Sequence, residues 1–137
     1  MSRENVEIVR RGIEANHSDD LEARTGTLLG FWDENCEYTA STSAVDTEIY
    51  HGHGGIRRYL KHLADSWEEW RSEAEEVRAL SPDTVFADIR FYAIGRVSGA
   101  TLDTRLGAVF VLSDGKISRG RTYPTKEQAL EAVGLRE

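Results

Sequence analysis

Apolar residues recur at three- and four-residue spacing in the first part of the chain, which is the period of an α-helix. A first helix is indicated by an apolar face of three residues: Val6, Val9 and Ile13. A second helix follows the polar break at 16–20, and its apolar face contains Leu21, Leu28, Leu29 and Trp32. We expect Ser2 to cap the first helix and Asp19 to cap the second, because their side-chain oxygens can accept from free backbone N–H groups. Gly26 and Gly30 weaken the second helix, so it should end early or bend.

The middle of the chain combines a short strand, a loop and a third helix. Cys36, Tyr38 and Ala40 alternate with polar residues, which predicts a strand. The segment 42–51 is predicted to be a polar loop. The third helix follows a glycine-rich run, and its apolar stripe has five residues: Ile56, Tyr59, Leu60, Leu63 and Trp67.

From Trp70 onward the period of the pattern changes from 3.6 residues to two, which indicates strands. The predicted strands are 70–80, 84–95, 101–112 and 116–123. Turns are predicted between them, at 81–83, 98–99 and 114–115. Thr125 is suited to cap a last helix, and Gly134 to end it. Helices followed by consecutive hairpins are typical of an α+β fold, in which helices pack on one face of an antiparallel sheet.

Composition restricts the possible partners. The chain has 137 residues, enough for one domain over 1–137, and a formal net charge of −7. An acidic surface repels phosphate backbones, so we expect no nucleic acid partner. The longest apolar run, 106–112, is too short to cross a bilayer, so we expect no membrane partner. Cys36 is the only cysteine and the first residues lack a signal-peptide pattern, both of which fit a cytoplasmic protein.

Five segments occur together and in the same order in one known family: 4–11, 20–23, 52–56, 113–117 and 127–135. On these segments the chain resembles the SnoaL-like proteins along nearly its whole length. They belong to the nuclear transport factor 2-like superfamily, with the ketosteroid isomerases and the limonene epoxide hydrolases. The resemblance implies a cone-shaped, curved, mostly antiparallel sheet with the N-terminal helices on its concave face. It also implies a pocket between them, usually in a homodimer, but no single reaction.

The sequence departs from these relatives at the positions that carry their reactions. The positions aligned with functional residues of the isomerases, the epoxide hydrolases and the polyketide-cyclising members hold other residue types: Gly12, Tyr38, Ile89, Phe91, Ala108 and Thr122. Enolisation needs a carboxylate near the substrate carbon and donors aimed at the enolate oxygen, and epoxide opening needs an acid and a base. The resemblance therefore supports the fold without identifying a reaction.

The inward-facing positions predict a mostly apolar ligand pocket. Its expected lining is Tyr38, Trp67, Ile89, Phe91, Ala108, Phe110 and Thr122. The hydroxyl groups of Tyr38 and Thr122, with the imidazole of His53, are its expected polar contacts. Walls of this kind favour a flat, apolar ligand, because they remove apolar surface from water.

Two pairs of residues are candidates for catalysis. Asp88 and Arg90 have the spacing of an acid–base pair, but the apolar parity of their strand favours cross-strand ion pairs on the outer face of the sheet. Tyr38 with His53 is the other candidate pair. His51 and His53 alone are too few for a metal site, so we expect no metal and no cofactor.

We interpret the chain as a SnoaL-like domain that binds a small, mostly apolar molecule, with its reaction unidentified. One alternative is an isomerase, cyclase or hydrolase acting on a polyketide, terpenoid or steroid-like compound. Another is a protein-interaction or dimerisation module. A homodimer is expected through the outer sheet face, which carries Arg90, Tyr92, Arg105, Val109, Val111, Arg119 and Tyr123. The face on which Asp88 lies distinguishes the first two hypotheses.

Overall fold

Three of the four helices in the described residues lie in the first half of the chain, and four consecutive strands follow them, as the patterns predict. The computed structural model describes residues 2–15, 20–41 and 47–134. The elements in these residues are α1 (Ser2–Glu14), α2 (Leu21–Leu29), β1 (Trp32–Ser41), β2 (Thr47–His51), α3 (Gly52–Ser66), β3 (Trp67–Ser81), β4 (Thr84–Gly95), β5 (Thr101–Ser113), β6 (Lys116–Tyr123) and α4 (Lys126–Ala132). The predicted α+β class is confirmed.

The six strands form one curved sheet in the order β2-β1-β6-β5-β4-β3. Every neighbouring pair is antiparallel except β1 and β6, which are parallel. This parallel pair brings the first strand of the chain against the last one. The mostly antiparallel sheet expected from the hairpin pattern is therefore confirmed.

The main hydrophobic core lies between one face of the sheet and helices α1, α2 and α3. Val9, Leu28 and Leu60 contribute from the three helices, and each is at least nine-tenths buried. Ile89 on β4 and Phe110 on β5 meet them from the sheet. These strand residues lie on the face that the alternation of the sequence assigns to the helices.

Helix α4 covers part of the opposite face of the sheet. Ala129 and Leu130 pack on Phe86, which is fully buried, with Val109 and Tyr123 beside it. Val109 and Tyr123 therefore lie on the outer face, as expected, but α4 packs against them there. The chain covers this part of the face with its own last helix.

Three element boundaries differ from the prediction. Helix α2 ends at Leu29, so Trp32 begins β1 instead of completing the helix. Strand β3 begins at Trp67, which the helical spacing had placed on α3. Strand β2 falls within the segment predicted as a loop; it is an edge strand, and only Tyr50 among its five residues is buried, so it shows no apolar alternation.

The caps and turns agree with the sequence more closely. Thr125 caps α4 by accepting a hydrogen bond from the backbone N–H of Gln128 at 3.2 Å, as predicted. Asp20 caps α2 by accepting from the N–H of Glu22 at 3.0 Å. The predicted caps at Asp19 and at the side chain of Ser2 lie outside the described part of the structure.

Candidate functional site

A cavity lies between the concave face of the sheet and the three N-terminal helices. We call it the inner cavity; its empty volume is about 570 Å³, which includes space open to solvent. Its walls are mostly apolar and include Val9, Ile13, Leu28, Ile56, Phe110 and Ile117. Tyr38, Tyr59, Ser72 and Thr122 add polar atoms to the lining.

Gly120 on β6 makes room for the floor of this cavity. A Cβ atom at this position would lie 2.7 Å from the Trp32 ring and 3.0 Å from the Phe110 ring. Trp32 meets Phe110 edge to face at 6.2 Å between ring centroids, and meets Tyr38 at 5.4 Å. Because the glycine has no side chain, these three rings can form one aromatic floor.

Tyrosine hydroxyls from the sheet and from a helix meet inside the cavity. The hydroxyl of Tyr38 on β1 donates to the hydroxyl of Tyr59 on α3 at 3.4 Å. Burial raises the pKa of Tyr38, and a hydrogen bond from Thr122 on β6 opposes this rise, as expected of a donor to the Tyr38 oxygen. We call these three residues the hydroxyl chain. Among the described residues, none accepts the proton of the Tyr59 hydroxyl.

The tyrosines of the hydroxyl chain are donors rather than bases. Burial raises the pKa of Tyr38 well above its usual value, and the neighbouring Tyr59 raises it further. Burial also raises the pKa of Tyr59, against the hydrogen bond from Tyr38, which lowers it. Both phenols therefore keep their protons at neutral pH.

Four residues of the predicted pocket lie in the wall of the inner cavity: Tyr38, Ile89, Phe110 and Thr122. Ala108 is fully buried in the core beside them. Trp67 and Phe91 lie elsewhere on the sheet and meet edge to face at 6.2 Å. Sequence reasoning did not assign Tyr59 to the pocket, although its place on the apolar stripe of α3 was visible.

Asp88 and Arg90 lie on the outer side of β4. Asp88 pairs with Gly107 on β5, and a Cβ atom at Gly107 would lie 2.7 Å from Ala129 of α4, so this row lies beneath α4. Arg90 forms two hydrogen bonds with the carboxylate of Asp103, at 2.9 and 2.6 Å, which hold the pKa of Asp103 below its usual value. Neither Asp88 nor Arg90 is part of the described lining of the inner cavity.

His53 connects two elements instead of facing the inner cavity. Its Nε2 atom lies 2.8 Å from the backbone carbonyl oxygen of Trp32. Since a carbonyl oxygen accepts, Nε2 carries the proton and donates it. His53 therefore attaches the start of α3 to the start of β1.

A second, more open cleft lies beside the inner cavity, between β2 and α3. We call it the outer cleft; its empty volume is about 1010 Å³, including open solvent. Tyr59 lines both spaces, and Glu48, Tyr50, His62 and Trp67 line the outer cleft. Sequence patterns do not predict the outer cleft, because β2 falls in a segment predicted to be a loop.

The described residues hold few other groups suited to chemistry. No three His, Cys, Asp or Glu side chains converge as metal ligands in this part of the chain. Cys36 is buried, and burial raises the pKa of its thiol, which disfavours the reactive thiolate. No helix among the described elements is long and apolar enough to cross a membrane.

The family model of the SnoaL-like domain matches residues 9–120. The chain belongs to the SnoaL-like domain family. No curated protein matches this SnoaL-like domain. Solved structures share its fold at low sequence identity.

Three of these structures show the extent of the likeness. An NTF2-like protein of unknown function from Burkholderia pseudomallei is 16% identical, with 98% of this chain and 99% of that one covered and a TM-score of 0.75. A putative SnoaL-like polyketide cyclase from Jannaschia sp. is 16% identical, with 89% and 85% covered and a TM-score of 0.74. TerC, co-crystallised with polyporic acid, is 18% identical, with 87% and 89% covered and a TM-score of 0.71. At these identities the likeness establishes the fold alone.

Proposed function

We propose that this SnoaL-like domain binds a small, mostly apolar molecule in the inner cavity, through a ligand oxygen that accepts a hydrogen bond from Tyr59. The observation that carries the proposal is the hydroxyl chain inside apolar walls. Thr122 and Tyr38 donate toward Tyr59, so the remaining proton of the chain is directed to the ligand.

The chemistry of the walls determines the ligand class. Removal of apolar ligand surface from water contributes roughly 25 cal/mol per Å², which favours a ring system over a polar chain. A buried donor left without an acceptor costs about 1–3 kcal/mol, which favours a ketone or another acceptor oxygen over a pure hydrocarbon. The co-crystallisation of TerC with an organic compound agrees with a small-molecule ligand here.

The positions of Asp88 and Arg90 favour a binding role for the inner cavity in which neither residue takes part. An isomerase, cyclase or hydrolase that uses this pair would need it in the inner cavity, whereas Arg90 is engaged by Asp103 on the outer face. The proposal therefore assigns neither residue a catalytic role.

A matched pair of ligands tests the proposal. Indanone and indane share a two-ring body and differ at the carbonyl, and binding of both can be followed by tryptophan fluorescence, since Trp32 lines the cavity. We expect indanone to bind more tightly than indane, by about five- to tenfold for one net hydrogen bond. Tyr59→Phe should remove this preference, because it removes both the hydrogen bond to indanone and the donor that indane leaves without an acceptor.

Tyr92→Phe is the control, because Tyr92 lies on the outer side of β4 beside Arg71. It should keep the wild-type preference for indanone. Equal binding of the two compounds by the wild type, or a preference that survives in Tyr59→Phe, would contradict the proposal.

We further propose that the protein is a homodimer through the part of the outer face that α4 leaves uncovered. This part carries Tyr92 and Val111, both partly buried, among exposed arginines. Asp103 pairs with Arg90, and Glu75 lies 3.9 Å from Arg105, so the positive charge of the face is partly balanced. The cytoplasmic location stays a prediction from the sequence.

A further inference from the structure

Three polar side chains converge in the outer cleft, which the proposed ligand site does not use. The hydroxyl of Tyr50 lies 3.0 Å from Nδ1 of His62, and a carboxylate oxygen of Glu48 lies 3.3 Å from the same nitrogen. Glu48 and Tyr50 are two residues apart on β2, so their side chains share one face of the strand. His62 reaches them from α3. Two oxygen atoms from β2 thus lie within hydrogen-bonding distance of Nδ1 of His62.

The hydrogen bonds of this cluster determine where the imidazole proton lies. Tyr50 donates to Glu48, which lowers the pKa of Glu48, and burial together with this bond raises the pKa of Tyr50. With the phenol proton directed to Glu48, both oxygens near Nδ1 of His62 are acceptors. Nδ1 therefore carries the proton of the neutral ring, and Nε2 keeps its lone pair.

The free nitrogen can be reached by a ligand. The side chain of His62 is 48% exposed, and its described contacts are made through Nδ1. Tyr59, three residues earlier on α3, lies on the same side of the helix, and Trp67 follows the end of that helix. A planar compound in the outer cleft would therefore have aromatic walls and an imidazole base beside it.

We propose that His62 is a general base and acid in the outer cleft, acting on planar, weakly acidic compounds whose rings lie against Tyr50, Tyr59 and Trp67. Glu48 and Tyr50 are positioning residues, because they fix the ring and its tautomer. Glu48 also stabilises the imidazolium that forms when Nε2 takes a proton. The proposal concerns a different space from the inner cavity and goes beyond ligand binding there.

The ring opening of 5-nitrobenzisoxazole is a suitable probe, because it needs only a base in an aromatic site. Nε2 of His62 takes the proton of the ring C–H group. The electron pair of that bond forms the nitrile, the N–O bond breaks, and its electrons stay on oxygen as a coloured phenolate. The imidazolium then gives its proton to water, which restores the base.

The test compares the rate of this reaction for the wild type and for His62→Ala, after subtraction of the rate in buffer. A positioned general base contributes about 10²–10⁴-fold, so we expect His62→Ala to lower the rate at least tenfold. Thermal melting of each variant checks that it folds.

His51→Ala is the matched control. His51 also lies near a carboxylate, Glu37, but at 3.9 Å, with its side chain 73% exposed and outside the outer cleft. This variant should keep the wild-type rate. A wild-type rate no higher than that of free imidazole at equal concentration, a rate unchanged in His62→Ala, or an equal loss in His51→Ala would overturn the proposal.

The variant Glu48→Gln tests whether Glu48 positions His62 for catalysis or only stabilises the fold. The amide keeps the size of the side chain but cannot stabilise an imidazolium as a carboxylate does, so kcat should fall while KM and the melting temperature stay unchanged. A kcat unchanged in Glu48→Gln would count against a role for the carboxylate.

Discussion

The neighbours of Tyr38 determine the direction in which its hydroxyl group donates a hydrogen bond. Its ring meets Tyr59 edge to face at 4.8 Å, which places the two hydroxyls side by side. Thr122 approaches its oxygen from β6. The resulting direction of donation depends on two strands and one helix, and not on the tyrosine alone.

The raised pKa of Tyr38 has a consequence for stability at high pH. Above the ordinary tyrosine pKa of 10.0, the unfolded chain releases this proton while the folded protein keeps it. The folded state then binds more protons, so the free energy of unfolding falls as pH rises, whereas below pH 10 this contribution is fully present. Urea unfolding between pH 8 and about 11 should show a smaller decrease for Tyr38→Phe than for the wild type. Equal decreases would show that Tyr38 ionises alike in both states.

For a single residue, the sequence predicts the side of a helix or strand on which its side chain lies, but not the group that its polar atom contacts. Alternation along β1 and β6 places Tyr38 and Thr122 on the inner face, where both line the cavity. Helical spacing groups Tyr59 with the apolar stripe of α3, but it carries no information on the Tyr38 hydroxyl opposite. His62 pairs with residues of β2, and no local pattern connects the two segments.

Helix α4 depends on a single glycine in the strand beneath it. A Cβ atom at Gly107 would lie 2.7 Å from Cβ of Ala129, 2.8 Å from the carbonyl oxygen of Thr125 and 3.0 Å from Cα of Lys126. Two of these three atoms belong to the backbone, so they cannot move aside as a flexible side chain can. The contact between β5 and α4 therefore tolerates no side chain at this position.

We expect Gly107→Ala to lower the free energy of unfolding by about 1–3 kcal/mol, because α4 must shift away from Phe86. Urea denaturation measures this. Gly26→Ala is the control: Gly26 lies in α2 with open space around its Cβ position, and alanine should raise stability by up to about 1 kcal/mol. A Gly107→Ala variant as stable as the wild type would show that α4 is not tightly seated.

The elements that sequence patterns predict well are those with one uniformly buried face. Strands β4 and β6 have the predicted bounds, because hairpin turns with glycine or proline separate alternating runs. Strand β2 lacks such a face. Trp67 continues a helical spacing although its backbone is extended, since side-chain period alone does not fix where a helix gives way to a strand.

The whole molecule presents two faces of different character. The concave face is covered by three helices, and the convex face is covered by α4 over only part of its area. The uncovered part combines apolar side chains with ion pairs such as Arg90 with Asp103. Such a face can pair with the same face of a second copy about a two-fold axis, so we expect the partner to be a second copy of the chain.

Sedimentation at micromolar concentration should therefore give the mass of a dimer. The interface between the two copies should bury at least ~1,000 Å² in total. Val111→Arg should give a monomer, because it adds charge next to Arg119, its partner in the β5–β6 register. Val97→Arg is the control, since Val97 is fully exposed in the turn after β4, and it should stay dimeric. A monomeric wild type would refute this interface.

The parallel pairing of β1 with β6 also determines how late the fold can be completed. Trp32 pairs with Ile117, and the Lys116 amino group donates to the carbonyl oxygen of Gly30, 86 positions earlier in the chain. During synthesis, β1 can pair locally with β2, and β3, β4 and β5 can form local hairpins, but the other edge of β1 stays unpaired until β6 has emerged. Contacts between distant segments carry a large loop-closure entropy and slow folding. Strand β1 is thus synthesised early but is among the last strands to be paired on both edges. Its unpaired edge is the part of the sheet that stays accessible to a chaperone for the longest time.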